Sequence, residues 1–172
     1  MQELIPVVDK NDRVIRYLPS KPIHTQGLRH REVAIYLVNA TGQILVQKRN
    51  GGYLDHSVAG HVRKGETYLQ TALREVKEEV GLNLKPRDLK RLGKFYHRTF
   101  SPQKGYYNDR FFTLYVVRRP IELKDVRINK RELEALEPMS VNQIKRIIKR
   151  NPSQCKGGFL VSFPLFLQHY QI

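Results

Sequence analysis

The 172-residue chain has a single cysteine, Cys155, and no tryptophan. One thiol excludes an internal disulfide framework, fits a reducing cytoplasm and reads as inert. No apolar run approaches the roughly 18 residues of a membrane-spanning helix, and the first residues have no signal-peptide pattern, so a cytoplasmic location and no membrane partner are expected. Acidic residues are scarce too: 16 Asp and Glu face 31 Lys and Arg, a formal net charge of +15. Lys85, Arg87, Lys90, Arg91, Lys94 and Arg98 form one basic cluster, and Lys145, Arg146, Lys149, Arg150 and Lys156 a second. Such a field favours nucleotides, polyphosphates or RNA. Zinc-finger spacings and RNP-type aromatic motifs are both missing, so a role in solubility alone stays open.

What is present is a folded-protein composition, 40% hydrophobic and 9% aromatic, in a length suited to about one domain. Between residues 67 and 80, Leu69, Ala72, Leu73, Val76 and Val80 recur at spacings of three and four, the buried stripe of an amphipathic helix. Gly65 stands where this helix would begin and Gly81 where it would stop. Glu75, Glu78 and Glu79 fall at i, i+3 and i+4, so three carboxylates crowd one face. Like charges at that spacing repel, and a hard divalent cation such as Mg²⁺ turns the repulsion into affinity. Glutamates on a charged helix are more often a solvated surface, so the flanking residues have to decide.

The remaining elements are read coarsely. Residues 3–18 suggest a hairpin turned at 9–12. Residues 32–39 form a buried strand, with 44–49 returning as its partner around Gly42. Residues 50–59 read as a loop. Two strands are expected near 93–100 and 110–118, joined by a link over 101–108. Ser140 starts a helix over 141–150. A closing helix over 160–170 is expected only in its second half, because Pro164 limits it. No heptad repeat or other interface signal fixes an oligomeric state.

Residues 60–82 match G-x5-E-x7-R-E-U-x-E-E-x-G-U throughout, with Gly60, Glu66, Arg74, Glu75, Glu78, Glu79 and Gly81 at the fixed positions. Chance agreement is on the order of 10⁻¹⁰ per starting position at average residue frequencies. The chain therefore resembles the Nudix hydrolases. The resemblance implies an α/β/α sandwich with a mixed central sheet, the core over 29–172 and residues 1–28 as a hairpin extension and lead-in. It implies Glu75, Glu78 and Glu79 as ligands of Mg²⁺, for which Mn²⁺ can substitute, with the Gly60 carbonyl as a further ligand. Glu78 or Glu79 would orient or deprotonate the attacking water. Glu66 and Arg74 would be a structural ion pair. A glutamate from a later loop serves as base in some members, for which Glu132 and Glu134 are candidates. Arg49, His61, Arg63 and Lys64 are candidate phosphate contacts, and Tyr53, Tyr96, Tyr106 and Tyr107 candidate stacking residues for a base or other leaving group.

The segment around His24, Gly27 and His30, with Gln47-Lys48-Arg49, resembles the branch holding isopentenyl-diphosphate isomerases and similar hydrolases. Those isomerases need a cysteine, for which this chain has Ala59, and a His/Glu metal site. Their E-x-E pair is replaced here by Asn108-Asp109-Arg110, although His24, His30 and His61 are kept. The expected activity is Mg²⁺-dependent cleavage of a nucleoside-diphosphate-linked or similar organic diphosphate. Isomerase chemistry and a non-enzymatic nucleotide- or RNA-binding module are the alternatives.

Overall fold

A strand buried on both faces must find cover on both, and the third strand of this chain sets the architecture on that basis. The computed structural model describes residues 3–49, 51–101, 105–131 and 133–170. β1 (Leu4–Val8) and β2 (Val14–Pro19) form the expected hairpin, followed by a short helix α1 (Ser20–Thr25). β3 (His30–Tyr36) then enters the sheet centre, pairing in parallel with β8 (Tyr106–Val117), which runs antiparallel to β7 (Leu89–Ser101). The larger sheet has the order β2-β1-β3-β8-β7.

Side chains alternate between faces along a strand. Val33 and Ile35 of β3 and Tyr115 and Val117 of β8 pack with Ala72, Val76 and Val80 of helix α2 (Tyr68–Val80). Ala34 and Tyr36, with Phe112, Leu114 and Val116, face the opposite way. They pack with Ile144 of α3 (Val141–Arg150) and Phe159, Phe163 and Phe166 of α4 (Gly157–His169). The result is helix, mixed sheet and helices in three layers, the expected α/β class. Among the described residues no helix is long and apolar enough to cross a membrane.

Four expectations are corrected. β4 (Ile44–Arg49) touches the end of β3's run through a Val38–Ile44 bridge, then joins a second sheet between β5 (Tyr53–Asp55) and β9 (Ala135–Met139). β8 occupies one edge of β3, while β1 and β6 (Val58–His61) share the other, leaving no edge for β4. The expected loop over 50–59 holds β5 (Tyr53–Asp55) and the start of β6. β9 (Ala135–Met139) was not anticipated and covers the other side of β4. Finally, α4 runs unbroken through Pro164. That proline is exposed, so the carbonyl it orphans lies on the solvent side. Burial of Phe159, Phe163 and Phe166 offsets the roughly 3 kcal/mol a helix-interior proline costs.

Candidate active site

Helix α2 is held at both ends by its own sequence. Thr67 and Gln70 form a reciprocal capping box, so the helix starts at Thr67 rather than near Gly65. Gly81 closes it at φ 72°, a left-handed conformation that suits glycine. Arg74 Nε lies 2.7 Å from Glu66 Oε1, and its NH2 donates to the His61 carbonyl at 3.1 Å. Glu66 also accepts from Thr71 Oγ1 and the Arg63 amide. Burial alone would raise the Glu66 pKa, but Arg74 and these donors hold it down to about 2.

The three glutamates do not share one environment. Glu75 and Glu79, one turn apart, are buried against the sheets, whereas Glu78 is exposed. Glu78 accepts from Arg63 at 3.1 and 3.2 Å and from Arg74 at 3.0 Å. Glu75 Oε1 lies so close to Gly60 that a Cβ there would come within 2.0 Å of it. Arg74 NH1 donates to the same oxygen at 2.7 Å. Burial nevertheless outweighs that cation and pushes the Glu75 carboxyl up to about 7. Glu79 Oε2 accepts from Gln47 Nε2 at 3.1 Å. Two sunken carboxylates, one pressed on a glycine backbone and short of compensating charge, make an oxygen-only donor set that fits a hard divalent cation.

Beside this lies a second polar cluster. His24 Nε2 and His61 Nε2 are 3.2 Å apart, and one ring nitrogen from each of His24, His30 and His61 lies within 4.8 Å of the others. The three histidines kept in the sequence thus stand together as a trio compatible with a metal ion. Glu32 lies 3.2 Å from His30 and 3.5 Å from His61, and pairs with Arg110 Nε at 2.9 Å. Burial would raise the Glu32 carboxyl, yet the Arg110 guanidinium and the histidines hold it well below the usual range. Burial lowers the His61 pKa to about 4. Asn108 Nδ2 donates to Glu32 at 3.3 Å. Asn108 and Arg110, standing where the isomerases have acids, therefore serve Glu32.

The candidate phosphate contacts are scattered. Arg63 is half-exposed and pairs with Glu3 and Glu78, and Lys64 lies over the Tyr17 ring. Arg49 lies between Gln47 and Asp55. His61 turns into the histidine trio, Tyr106 stacks on His24, and Tyr53 lies under Lys156. Glu134 is exposed, its amide bonded to the Lys48 carbonyl. Glu132 and residues 102–104 of the expected link lie outside the described residues. Cys155 is buried, with its thiol pushed up to about 11, and so fits the inert reading. Sequence reasoning missed Glu32, Gln47 and Asp55 as neighbours of the site. Gln47 and Arg49, two apart on one strand, were the only local signal for any of them.

A different surface gathers the exposed aromatics. Lys94, Tyr96, Arg98 and Phe100 alternate on β7, opposite Phe111 and Tyr107 of β8. Tyr96, Phe100 and Tyr107 are 47%, 53% and 44% exposed. Arg29 lies 4.6 Å over Tyr96 and Arg98 4.0 Å over Tyr107.

The family model for the NUDIX domain matches residues 28–155, which include every residue of the α2 site. The chain belongs to the Nudix family. Among curated relatives it is 26% identical over 168 residues to Nudix hydrolase 3 of Arabidopsis thaliana, covering 90% of this chain and 22% of that protein. It is 31% identical over 108 residues to the isopentenyl-diphosphate delta-isomerase of Serratia proteamaculans, 59% of each chain. The chain thus spans well under two thirds of these relatives' lengths. Among solved structures it resembles that of DR0079 from Deinococcus radiodurans, with TM-score 0.74 at 23% identity, covering 98% of this chain and 100% of the other. It also resembles a MutT protein from Methanosarcina mazei, with TM-score 0.60 at 18% identity, covering 81% and 94%. These likenesses concern the Nudix fold.

Proposed function

We propose that this Nudix chain is a divalent-metal-dependent hydrolase that cleaves the diphosphate link of a nucleoside-diphosphate-linked or similar organic diphosphate. The observation that carries this reading is the buried Glu75, pressed on Gly60 with its carboxyl pushed up to about 7, one helical turn from the buried Glu79. A buried carboxylate short of charge compensation is stabilised by a cation. Glu75, Glu79 and the Gly60 carbonyl would hold Mg²⁺, with Glu78 joining on release from its arginines. Bound there, Mg²⁺ would neutralise diphosphate charge and acidify a water.

The chain's own groups supply the rest. Glu79, buried and hydrogen-bonded, would orient the attacking water and take its proton. Arg63, half-exposed beside Glu78, is placed to exchange that carboxylate for a substrate phosphate. Arg74 stays with Glu66 and keeps the loop registered on the helix. Isomerase chemistry is disfavoured, since Ala59 offers no acid and Arg110 stands in place of a carboxylate.

The test is a panel of nucleoside triphosphates, nucleotide sugars, dinucleoside polyphosphates, prenyl diphosphates and triphosphorylated RNA, assayed for phosphate products with Mg²⁺ and with chelator. Metal-dependent turnover of one class is expected. Turnover unaffected by chelator, or isomerised prenyl diphosphate, would sink the proposal. Glu79→Gln should lower kcat by about two orders of magnitude or more with little change in Tm. A second reading, single-stranded RNA as ligand or substrate, is favoured by the interleaved basic and aromatic face of β7 and β8.

A further inference from the structure

A chain of polar side chains crosses the molecule from α4 to the candidate catalytic glutamate. Tyr36 Oη lies 2.8 Å from Ser162 Oγ, which lies 2.6 Å from His56 Nε2. His56 Nδ1 lies 2.8 Å from Asp55 Oδ1, and Asp55 Oδ2 lies 2.9 Å from Arg49 Nε. Arg49 Nε also donates to Gln47 Oε1 at 2.8 Å, and Gln47 Nε2 donates to Glu79 Oε2 at 3.1 Å. All of these side chains but Arg49 are buried.

Its middle has the order of a nucleophilic Ser-His-Asp triad. Ser162 is fully enclosed, however, and its hydroxyl is shared between His56 and Tyr36, so no substrate carbonyl or phosphorus can approach it. The other end of the chain is more informative. A guanidinium has only donors. The Gln47 atom facing Arg49 must therefore be its oxygen, and the atom facing Glu79 its NH₂. An amide free to flip would spend part of its time presenting oxygen to the Glu79 carboxylate, which repels it. Asp55 Oδ2 lies 2.9 Å from the same Arg49 Nε and anchors the guanidinium, and the His56 backbone amide donates to Asp55 Oδ1 at 2.9 Å.

We infer that Gln47 is a positioning residue for Glu79, with its amide fixed the right way round by Arg49, itself anchored by Asp55. The inference rests on the reading of Glu79 as a metal-site carboxylate. Partners that orient a metal's ligands typically contribute 10–100-fold to affinity, so the effect is measurable with the metal alone.

The experiment is a Mn²⁺ titration of the full chain, with free Mn²⁺ followed by electron paramagnetic resonance. It compares wild type, Gln47→Leu, Glu79→Gln and the double variant. Glu79→Gln isolates this site from Mn²⁺ held by the histidine trio. Gln47→Leu is expected to weaken binding about tenfold when Glu79 is present and not at all when it is Gln. The same loss in both backgrounds, or no loss in either, would overturn the inference while leaving Glu79 as a ligand. If Glu79→Gln binds Mn²⁺ as wild type does, the assignment of Glu79 fails and the inference fails with it. Should Gln47→Leu unfold, Arg49→Lys takes its place. It keeps the charge beside Asp55 but loses the directed Nε donor, and should weaken binding several-fold only in the Glu79 background.

Discussion

Glu75 carries an electrostatic signature that a solution experiment can read. Its carboxyl is pushed up to about 7 from the usual 4.5 by burial, with Glu78 adding to the effect and Arg74 opposing it. Between those values the folded chain holds a proton that the unfolded chain has lost, so rising pH destabilises the metal-free protein across that window. Glu75→Gln is neutral throughout and escapes this loss. In chelator, its Tm relative to wild type should rise from pH 5 to pH 8, and Mg²⁺ should narrow the gap by stabilising wild type. A gap that does not change with pH would mean that Glu75 titrates normally. At this scale the motif named the carboxylates but not their states. Glu78 is drawn outward by Arg63, which occupies an unconstrained position of the motif. The sequence kept His24, His30 and His61 at places of the isomerase pattern without bringing them together. Arg110, the partner of the neighbouring Glu32, was noted only as a departure from E-x-E, because a contact between strands leaves no trace in spacing.

The helix at the site stands on local chemistry, and that made it the most legible element. Thr67 accepts from the Gln70 amide while Gln70 caps Thr67 in return, and Gly81 takes the left-handed turn. Thr67→Ala should therefore cost about 1 kcal/mol, read as a lower denaturant midpoint with unchanged m. A neutral result would mean that packing of Ala72, Val76 and Val80 alone holds the N-terminus. The long strands and α3 were also visible, through alternation and the Ser140 cap. β5, β6 and β9 were not. They span three to five residues, and the first two flank the buried polar run Asp55, His56 and Ser57, where hydrophobic periodicity has nothing to show. The departure of β4 from β3 depended on which edges other strands had already taken, information spread over the whole chain.

Over the whole molecule, the net charge of +15 meets an organised surface in one place, the ribbon of β7 and β8. On β7 Tyr96 and Phe100 alternate with Lys94 and Arg98, while on β8 Asp109 between Tyr107 and Phe111 pairs with Arg29 and Arg98. Interleaved aromatics and cations stack bases and follow a phosphate backbone. A labelled single-stranded RNA of about 12 nucleotides should bind with a logarithmic salt dependence. Tyr96→Ala combined with Phe100→Ala should weaken it at least tenfold while leaving metal-dependent turnover of a small substrate intact. Equal loss on a duplex of the same length would point to charge alone. The sequence showed the cations and the tyrosines. It could not show that they share a face, since that required the register of β7 on β8.

The Glu32–Arg110 pair also bears on how this scaffold can change over evolutionary time. A sulfhydryl at Ala59 would still find Arg110, already paired with Glu32, where the isomerases have the last acid of their E-x-E pair. Replacing Arg110 first would strand Glu32, and breaking a buried pair in that way costs roughly 3–5 kcal/mol. Each single step towards isomerisation is thus unrewarded or harmful without the other. Hydrolytic and isomerising descendants of one ancestor would be kept apart by epistasis between two strands on opposite edges of β3, and drift alone would seldom carry a lineage across.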